Sequence, residues 1–160
     1  MVEEILEILE KDCRISHEQI ASMLKMDVKK VSAIIKRLED DNIILGYNTL
    51  IDWEKTNKEI VTALIEVKVT PQRGQGFDKA AERIYRYPEV KACYLMSGGF
   101  DLTVVIEGKT MKEVAYFVAE KLAPLESVLS TATHFVLKKY KDKGIIFEEK
   151  AKDDREPVIL

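Results

Sequence analysis

Cysteine and histidine are scarce in this chain of 160 residues, which has two of each. Cys13 and Cys93 are too few and too unpatterned to build a disulfide framework or a zinc site. No nucleophile motif, glycine-rich phosphate loop or cluster of metal ligands accompanies the two histidines. The sequence therefore predicts no catalytic residue, no bound metal and no cofactor.

Long apolar runs are lacking as well. No stretch reaches the roughly 18 apolar residues that a membrane-spanning helix requires. The N-terminus, MVEEILEILE, is acidic, whereas a signal peptide begins with basic residues. The sequence predicts a cytoplasmic protein with no membrane partner. Its net charge is −3, so any surface that attracts nucleic acid has to be local.

The most informative segment is residues 16–41, SHEQIASMLKMDVKKVSAIIKRLEDD. Ser16 and Gln19 have the spacing of a capping box, which marks the start of a helix. Asp27 is a strong N-cap for a second helix. A further helix over about Val2 to Lys11 would complete a small core. Two short helices joined by a tight turn, the second rich in basic residues, are typical of a helix-turn-helix that binds double-stranded DNA.

The outer face of the second helix is the predicted reading surface, since this face enters the major groove in a helix-turn-helix. The alternative is a plain three-helix bundle with a solvated basic face. Residues 1–45 hold seven Lys and Arg against ten Asp and Glu, so the charge balance does not favour the DNA-binding interpretation. The spacing of the two predicted helices and of the basic residues on the second does favour it. The predicted DNA-binding residues are Lys25, Lys29, Lys30, Ser32, Ala33, Lys36 and Arg37.

The rest of the chain predicts an α+β domain of the ferredoxin-like βαββαβ type. Its elements are a strand at 60–70, a helix at 77–88, strands at 90–97 and 101–108, a helix at 111–124 and a strand at 128–140. The predicted domains are 1–45 (helix-turn-helix), 46–58 (connecting strand and linker), 59–140 (the ferredoxin-like domain) and 141–160 (a charged extension in which GIIF adds an edge strand).

The predicted sheet is apolar on both faces. In its first strand Val61, Ala63 and Ile65 point one way, while Ile60 and Leu64 point the other. A sheet with one face in water alternates more cleanly than this, and an exposed apolar face usually marks an interface. The sequence therefore predicts at least a homodimer. Two copies would also supply the two recognition helices that match two half-sites on DNA.

In combination these features resemble the leucine-responsive and asparagine-regulator family of prokaryotic transcription factors (Lrp/AsnC, the feast/famine regulators). The matching segments are ISHEQIASML, VKKVSAIIKRLEDDNIILGY, the SGGFDL turn and VLSTATHF, in the family's order over residues 1–140. The resemblance implies a winged helix-turn-helix, a connecting strand and a C-terminal ligand-sensing (RAM-type) domain. It also implies dimers that pair through the sheet, and often octamers.

The resemblance further implies a transcriptional regulator that a small effector, commonly an amino acid, controls by binding between dimers. Glycine amides and threonine hydroxyls can hold a carboxylate, and Asp101 can hold an ammonium group. The simpler alternative is an ordinary hairpin turn beside ordinary strand residues. Carried over by position, the effector-binding residues are Ser97, Gly98, Gly99, Phe100, Asp101, Thr131 and Thr133.

Two positions depart from the family's pattern. Lys25 stands where the family usually has glycine in the turn, and a left-handed backbone there costs about 1 kcal/mol. The lysine would also add a phosphate contact. Ile34 stands at a position that the family often fills with arginine, so base preference does not carry over.

Other functions remain open at the level of the sequence. Some siroheme decarboxylases look similar to this family, but such an enzyme needs histidine or arginine groups placed for proton delivery. His17, in the first turn of a helix, is expected to be solvated, and His134 is expected to be packed or at an interface. A ligand-independent architectural DNA-binding protein and a protein-binding adaptor are the remaining alternatives.

Overall fold

The computed structural model describes residues 1–71, 74 and 76–147, and the chain divides into two compact units between Ile51 and Asp52. A 3-10 turn occupies Trp53–Lys55, and a π-helical turn occupies Val118–Leu122. In order, the elements are α1 (Val2–Lys11), α2 (His17–Leu24), α3 (Val28–Asp40), β1 (Val61–Val69), α4 (Asp78–Tyr85), β2 (Val90–Leu95), β3 (Leu102–Gly108), α5 (Met111–Phe117), β4 (Val128–Phe135), β5 (Lys141–Asp142) and β6 (Ile145–Ile146).

The second and third helices of the N-terminal unit begin where the capping signals predict. The Ser16 hydroxyl accepts a hydrogen bond from the Gln19 amide at 3.2 Å, and the Ser16 amide donates to Gln19 Oε1 at 3.0 Å. Asp27 Oδ1 accepts from the amides of Lys29 and Lys30 at 2.9 and 3.3 Å. These bonds satisfy amides that have no partner inside their helices. The apolar stripes then pack into one core, formed by Ile5, Ile20, Ala21, Val31 and Ile35.

No connecting strand forms after α3, which corrects the prediction for residues 46–58. Residues 42–51 are all described, and they contain neither a helix nor a paired strand. The segment is held at its start, where the amides of Ile43 and Ile44 donate to the Leu38 carbonyl at 2.9 and 3.0 Å. Further on, Asp52 caps the short turn at Trp53–Lys55. A strand requires a neighbouring backbone, and a single copy of the chain supplies none here.

The second unit is a four-stranded antiparallel sheet in the order β2-β3-β1-β4, with α4 and α5 packed on one face. This is the ferredoxin-like topology, so the predicted fold class is confirmed. Ala63, Ile65 and Val67 of the central strand β1 are fully buried beneath the helices, while Leu64 is 39% exposed on the other face. Cys93 packs at the margin of this core, and burial raises the pKa of its thiol.

Several elements are shorter than their predicted ranges. The helix expected at 111–124 changes from α to π geometry at Val118, whose carbonyl accepts from the Ala123 amide at 2.8 Å. The wider turn keeps Phe117, Val118 and Leu122 in the core. The strand expected at 128–140 ends at Phe135, which pairs with Ala63 near the start of β1. Strand length thus follows from where the neighbouring strand begins.

The predicted C-terminal extension starts with a small hairpin in which β5 and β6 pair with each other. Ile145 and Ile146 of the GIIF segment therefore pair with Lys141 and Asp142, and the expected edge strand of the main sheet is not formed. Gly144 lies in the hairpin turn with φ of +80°, a conformation that glycine adopts at low cost. Residues 148–160 of the extension lie outside the described residues.

Candidate functional site

The outer side of α3 carries most of the predicted DNA-binding side chains. Val31, Ile35 and Leu38 are buried against the core, which leaves the opposite side in water. Ile34 packs partly against the core. The position that the family often fills with arginine therefore carries an apolar side chain that is partly turned away from the outer face. The exposed residues are Lys29, Lys30, Ala33, Lys36 and Arg37, and Ser32 is partly buried beside them.

The positive charge on this face lies in two pairs of residues, Lys29 with Lys30 in the first turn of α3 and Lys36 with Arg37 in the third. Lys36 Nζ lies 3.7 Å from Asp40 Oδ2, and both side chains are mostly exposed, so this pair contributes little energy and only partly offsets the positive charge. Within the described residues, Lys29, Lys30 and Arg37 form no ion pair. The start of the helix therefore presents two lysines that have no ion-pair partner among the described residues, next to the N-cap carboxylate of Asp27.

Lys25 ends α2 in the left-handed conformation, with φ of 53° and ψ of 46°. The strained backbone that the sequence predicts is thus present. Its side chain is exposed in the turn before α3.

The histidine nearest this face is bonded to Ser32, although the sequence predicts a solvated side chain. His17 Nδ1 lies 2.8 Å from Ser32 Oγ, in a partly buried contact between the start of α2 and the outer side of α3. The two residues are 15 positions apart, so no local sequence pattern reveals the contact. It depends on how the two helices cross.

A second unforeseen contact ties the segment after α3 to that helix. The Tyr47 hydroxyl donates to Glu39 Oε1 at 2.8 Å. Burial, together with this bond and the negative charge of Glu39, raises the pKa of Tyr47 to about 12. The chain leaving the helix-turn-helix is thereby attached to the C-terminal end of α3.

In the second unit, the turn between β2 and β3 is joined to the end of β1 by Asp101. The Asp101 amide donates to the Val67 carbonyl at 3.1 Å, and Asp101 Oδ2 accepts from the Val69 amide at 2.8 Å. The Met96 amide donates to the Asp101 carbonyl at 2.8 Å and closes the turn. One carboxylate oxygen of Asp101 therefore has a structural partner.

The predicted effector-binding residues lie on both sides of β1 and extend from the β2–β3 turn, beside the end of that strand, to its middle. Ser97, Gly98 and Gly99 are exposed, whereas Phe100 and Asp101 are partly buried. On the other side of β1, Thr131 pairs with Val67 and Thr133 with Ile65, and both threonines are partly buried. The start of β3, where the turn ends, and the threonines of β4 are two strands apart, and each spacing between neighbouring strands is about 4.8 Å.

The face of the sheet away from the helices is open in the single chain. Leu64 of β1 is 39% exposed, and Tyr94 of β2 is 56% exposed. His134 Nε2 lies 3.5 Å from Glu66 Oε1 on the same face, across the pair of β1 with β4. A mixed apolar and polar surface therefore covers the side of the sheet that no helix protects.

Neither a metal cluster nor a membrane span is found in the part of the chain that the structure describes. No group of three or more His, Cys, Asp or Glu residues there is placed to hold a metal ion. None of the helices there has the length and apolarity to cross a membrane.

Both units match known protein families. Residues 3–44 match a winged helix-turn-helix DNA-binding family, and residues 62–146 match the Lrp/AsnC ligand binding domain. The HTH-type transcriptional regulator YugG of Bacillus subtilis (strain 168) is 54% identical over 157 residues, which cover 98% of this chain and 94% of the relative.

Solved structures share the fold at low sequence identity. A transcriptional regulator of Neisseria meningitidis in complex with L-methionine has a TM-score of 0.70 and 24% identity, covering 87% of this chain and 89% of that chain. A feast or famine regulatory protein of M. tuberculosis complexed with L-methionine has a TM-score of 0.71 and 18% identity, covering 88% and 92%.

The matched families and relatives regulate transcription and are not enzymes, so the enzyme alternative has no support. The helix-turn-helix is the DNA-binding domain of a transcriptional regulator, and the ferredoxin-like unit is a ligand-binding domain of the kind that such regulators carry. The chain belongs to the Lrp/AsnC family of helix-turn-helix transcriptional regulators.

Proposed function

We propose that this regulator binds its operator as a homodimer through the outer face of α3, and that an amino acid bound at the sheet end changes this binding. The observation that carries the proposal is the first turn of α3. Asp27 caps it, and Lys29 and Lys30 are exposed there without an ion-pair partner among the described residues. The DNA-facing set is Lys25, Lys29, Lys30, Ser32, Ala33, Lys36 and Arg37.

The proposed division of labour within this set follows from position. Residues near the start of a recognition helix approach base edges, while flanking lysines and arginines contact phosphate. Ser32 and Ala33 are short side chains that let the helix approach the groove closely. Lys25, Lys29, Lys30, Lys36 and Arg37 carry the charge that positions it on the phosphates. Such contacts release counterions, so binding should weaken steeply with salt.

The homodimer is proposed from the open face of the sheet. An apolar side chain such as Leu64, 39% exposed at the centre of a sheet, is better buried against another surface. A second copy supplies an equivalent face in a two-fold arrangement. Two reading helices then match two half-sites on DNA. Larger assemblies such as an octamer would join these dimers, and we place the regulator in the cytoplasm with the DNA that it binds.

The effector site is proposed at Ser97, Gly98, Gly99, Phe100, Asp101, Thr131 and Thr133. Support comes from their placement on both sides of β1, with the β2–β3 turn beside the end of that strand and the two threonines opposite Val67 and Ile65. The Neisseria and M. tuberculosis structures of the same fold contain L-methionine, which supports an amino acid as the class of effector. The exposed turn amides and threonine hydroxyls suit a carboxylate, and the second oxygen of Asp101 suits an ammonium group.

The test of DNA binding compares two double variants with equal loss of charge. Lys29→Ala/Lys30→Ala removes the two lysines in the first turn of α3, and Lys79→Ala/Lys112→Ala removes two exposed helix lysines of the second unit. Duplexes selected by the unaltered protein from a random-sequence pool serve as the probe. Fluorescence anisotropy at several salt concentrations gives the affinity and its salt slope.

We expect the α3 variant to bind more weakly, with a salt slope reduced by about 0.9 for each phosphate that the protein no longer neutralises. The control variant should retain both the affinity and the slope. Equal behaviour of the two variants would move the DNA-binding surface away from α3.

A further inference from the structure

The bond between His17 and Ser32 lies at the border of the proposed reading face. His17 is the first residue of α2, and Ser32 is in the second turn of α3. The 2.8 Å separation of Nδ1 and Oγ is short enough for a good hydrogen bond. Both side chains are only partly buried, so each keeps one side toward the surface.

Ser32 is surrounded by residues of the proposed DNA contact. Lys29 precedes it by three residues and Lys36 follows it by four, which places both next to it on the helix surface. Ala33 beside it is exposed and has no long side chain. The Ser32 hydroxyl therefore lies within the patch that would face base edges.

A serine hydroxyl by itself is a poor reader of sequence. It has one proton and two lone pairs and rotates freely, so it satisfies donors and acceptors alike. A bond to a ring nitrogen restricts that freedom, because the hydroxyl then has a preferred rotamer and direction. The remaining hydrogen-bonding capacity of the hydroxyl then has a preferred direction as well.

We propose that His17 is a positioning residue for base recognition, which holds the Ser32 hydroxyl so that Ser32 selects one base pair in each half-site. The inference rests on the proposed DNA binding by α3. It assigns to α2 a part in sequence selectivity that acts through Ser32, in addition to its part in the core.

A purely structural bond would behave differently. If His17 and Ser32 only tied α2 to α3, removing the bond would lower stability and weaken binding to all sequences alike. A positioning role predicts a change confined to one base pair of the half-site. The two roles are therefore separated by base frequencies at single positions.

The experiment selects binding sites from a random duplex pool with the full chain and four variants: His17→Leu, His17→Asn, Ser32→Ala and the double variant His17→Leu/Ser32→Ala. Asparagine can place a hydrogen-bonding atom near the position of Nδ1, whereas leucine cannot. Circular dichroism and urea unfolding show whether each variant keeps its fold.

In the His17→Leu variant, we expect the preference for the favoured base to fall about threefold or more at one position of each half-site. Ser32→Ala should flatten the same position, and the double variant should be no worse than either single one. His17→Asn should keep the preference close to that of the unaltered protein. Other positions of the site should keep their base frequencies.

Three results would overturn the inference while DNA binding by α3 stands. One is an unchanged selected sequence in His17→Leu, and another is a loss of base preference spread evenly over all positions. The third is a loss of preference in His17→Asn as large as that in His17→Leu. If the unaltered protein selects no sequence at all, the proposed function fails first and this inference fails with it.

Discussion

Asp101 combines a structural bond with a proposed ligand contact. Its Oδ2 accepts from the Val69 amide at 2.8 Å and connects the β2–β3 turn to β1 across 32 positions of sequence. The sequence points to Asp101 through the SGGFDL turn, but only the folded chain shows that one carboxylate oxygen is already engaged. The two roles can be separated because asparagine keeps an acceptor and loses the charge.

We predict that Asp101→Ala lowers the free energy of unfolding by about 1–3 kcal/mol, because the Val69 amide loses a charged acceptor. Asp101→Asn should keep most of the stability and lose affinity for amino acids. Urea unfolding and calorimetric titration with a panel of the twenty amino acids measure the two effects. If the asparagine variant binds the effector as the unaltered protein does, Asp101 is not an ammonium ligand.

Tyr47 provides a test at high pH. Burial and the Glu39 carboxylate raise its pKa to about 12, whereas an unfolded tyrosine titrates near pH 10. Between these values the folded state holds the proton that the unfolded state has released, so this group's contribution to stability is lost as pH rises from about 10 to 12.

Absorbance titration at about 295 nm, as the difference between the unaltered protein and Tyr47→Phe, should show one tyrosine that ionises near pH 12. Glu39→Gln should lower that pKa while leaving the effect of burial. A difference curve centred near pH 10 would mean that the bond between Tyr47 and Glu39 is not maintained in solution.

Among the elements, the starts of α2 and α3 could be predicted from the sequence, because their caps are local. Ser16, Gln19 and Asp27 act within three residues of the amides that they bind. The alternation of apolar and polar residues along the chain locates the strands, but it does not locate their ends. Phe135 ends β4 because β1 starts nearby, which is information about a neighbouring strand.

The turn between α2 and α3 holds Lys25 in a strained conformation. Replacing it with glycine should have opposite effects on stability and on DNA binding, because the strain and the charge are both removed. Lys25→Gly should raise the free energy of unfolding by about 0.5–1 kcal/mol, since relief of the left-handed backbone outweighs the added freedom of the unfolded chain. Loss of the lysine charge should at the same time weaken DNA binding. Urea unfolding with an unchanged m-value measures the first effect.

Lys36→Gly is the matched control, because it makes the same chemical change inside α3. There it should lower stability by about 1 kcal/mol. A destabilised Lys25→Gly variant would show that the left-handed conformation at this residue carries no strain.

For the whole molecule, the proposed homodimer rests on the open face of the sheet. Leu64 lies in the central strand, 39% exposed in the single chain, and the core of its own unit is on the other face. A charge at this position leaves that core untouched. It would oppose the packing of a second copy, because a buried unpaired carboxylate is costly.

We predict that Leu64→Asp shifts the proposed dimer to a monomer, while Lys68→Asp near the end of the same strand has a smaller effect. Native mass spectrometry and sedimentation measure the assembly, and circular dichroism confirms the fold. DNA affinity should fall with the assembly, since two reading helices no longer act together. A Leu64→Asp variant that remains assembled would place the dimer contact elsewhere.

The sequence alone determined the properties that depend on neighbouring residues. Helix starts, the left-handed turn at Lys25, the alternation of β1 and the family to which the chain belongs all follow from short segments. The residues proposed to contact DNA and effector follow from the same segments and stay predictions. Tertiary structure decided what depends on distant parts of the chain: the bond of His17 to Ser32, that of Asp101 to Val69, and the absence of a strand at residues 46–58. The physical reason is range, because a cap acts over three residues, whereas these contacts exist only after helices cross and strands pair.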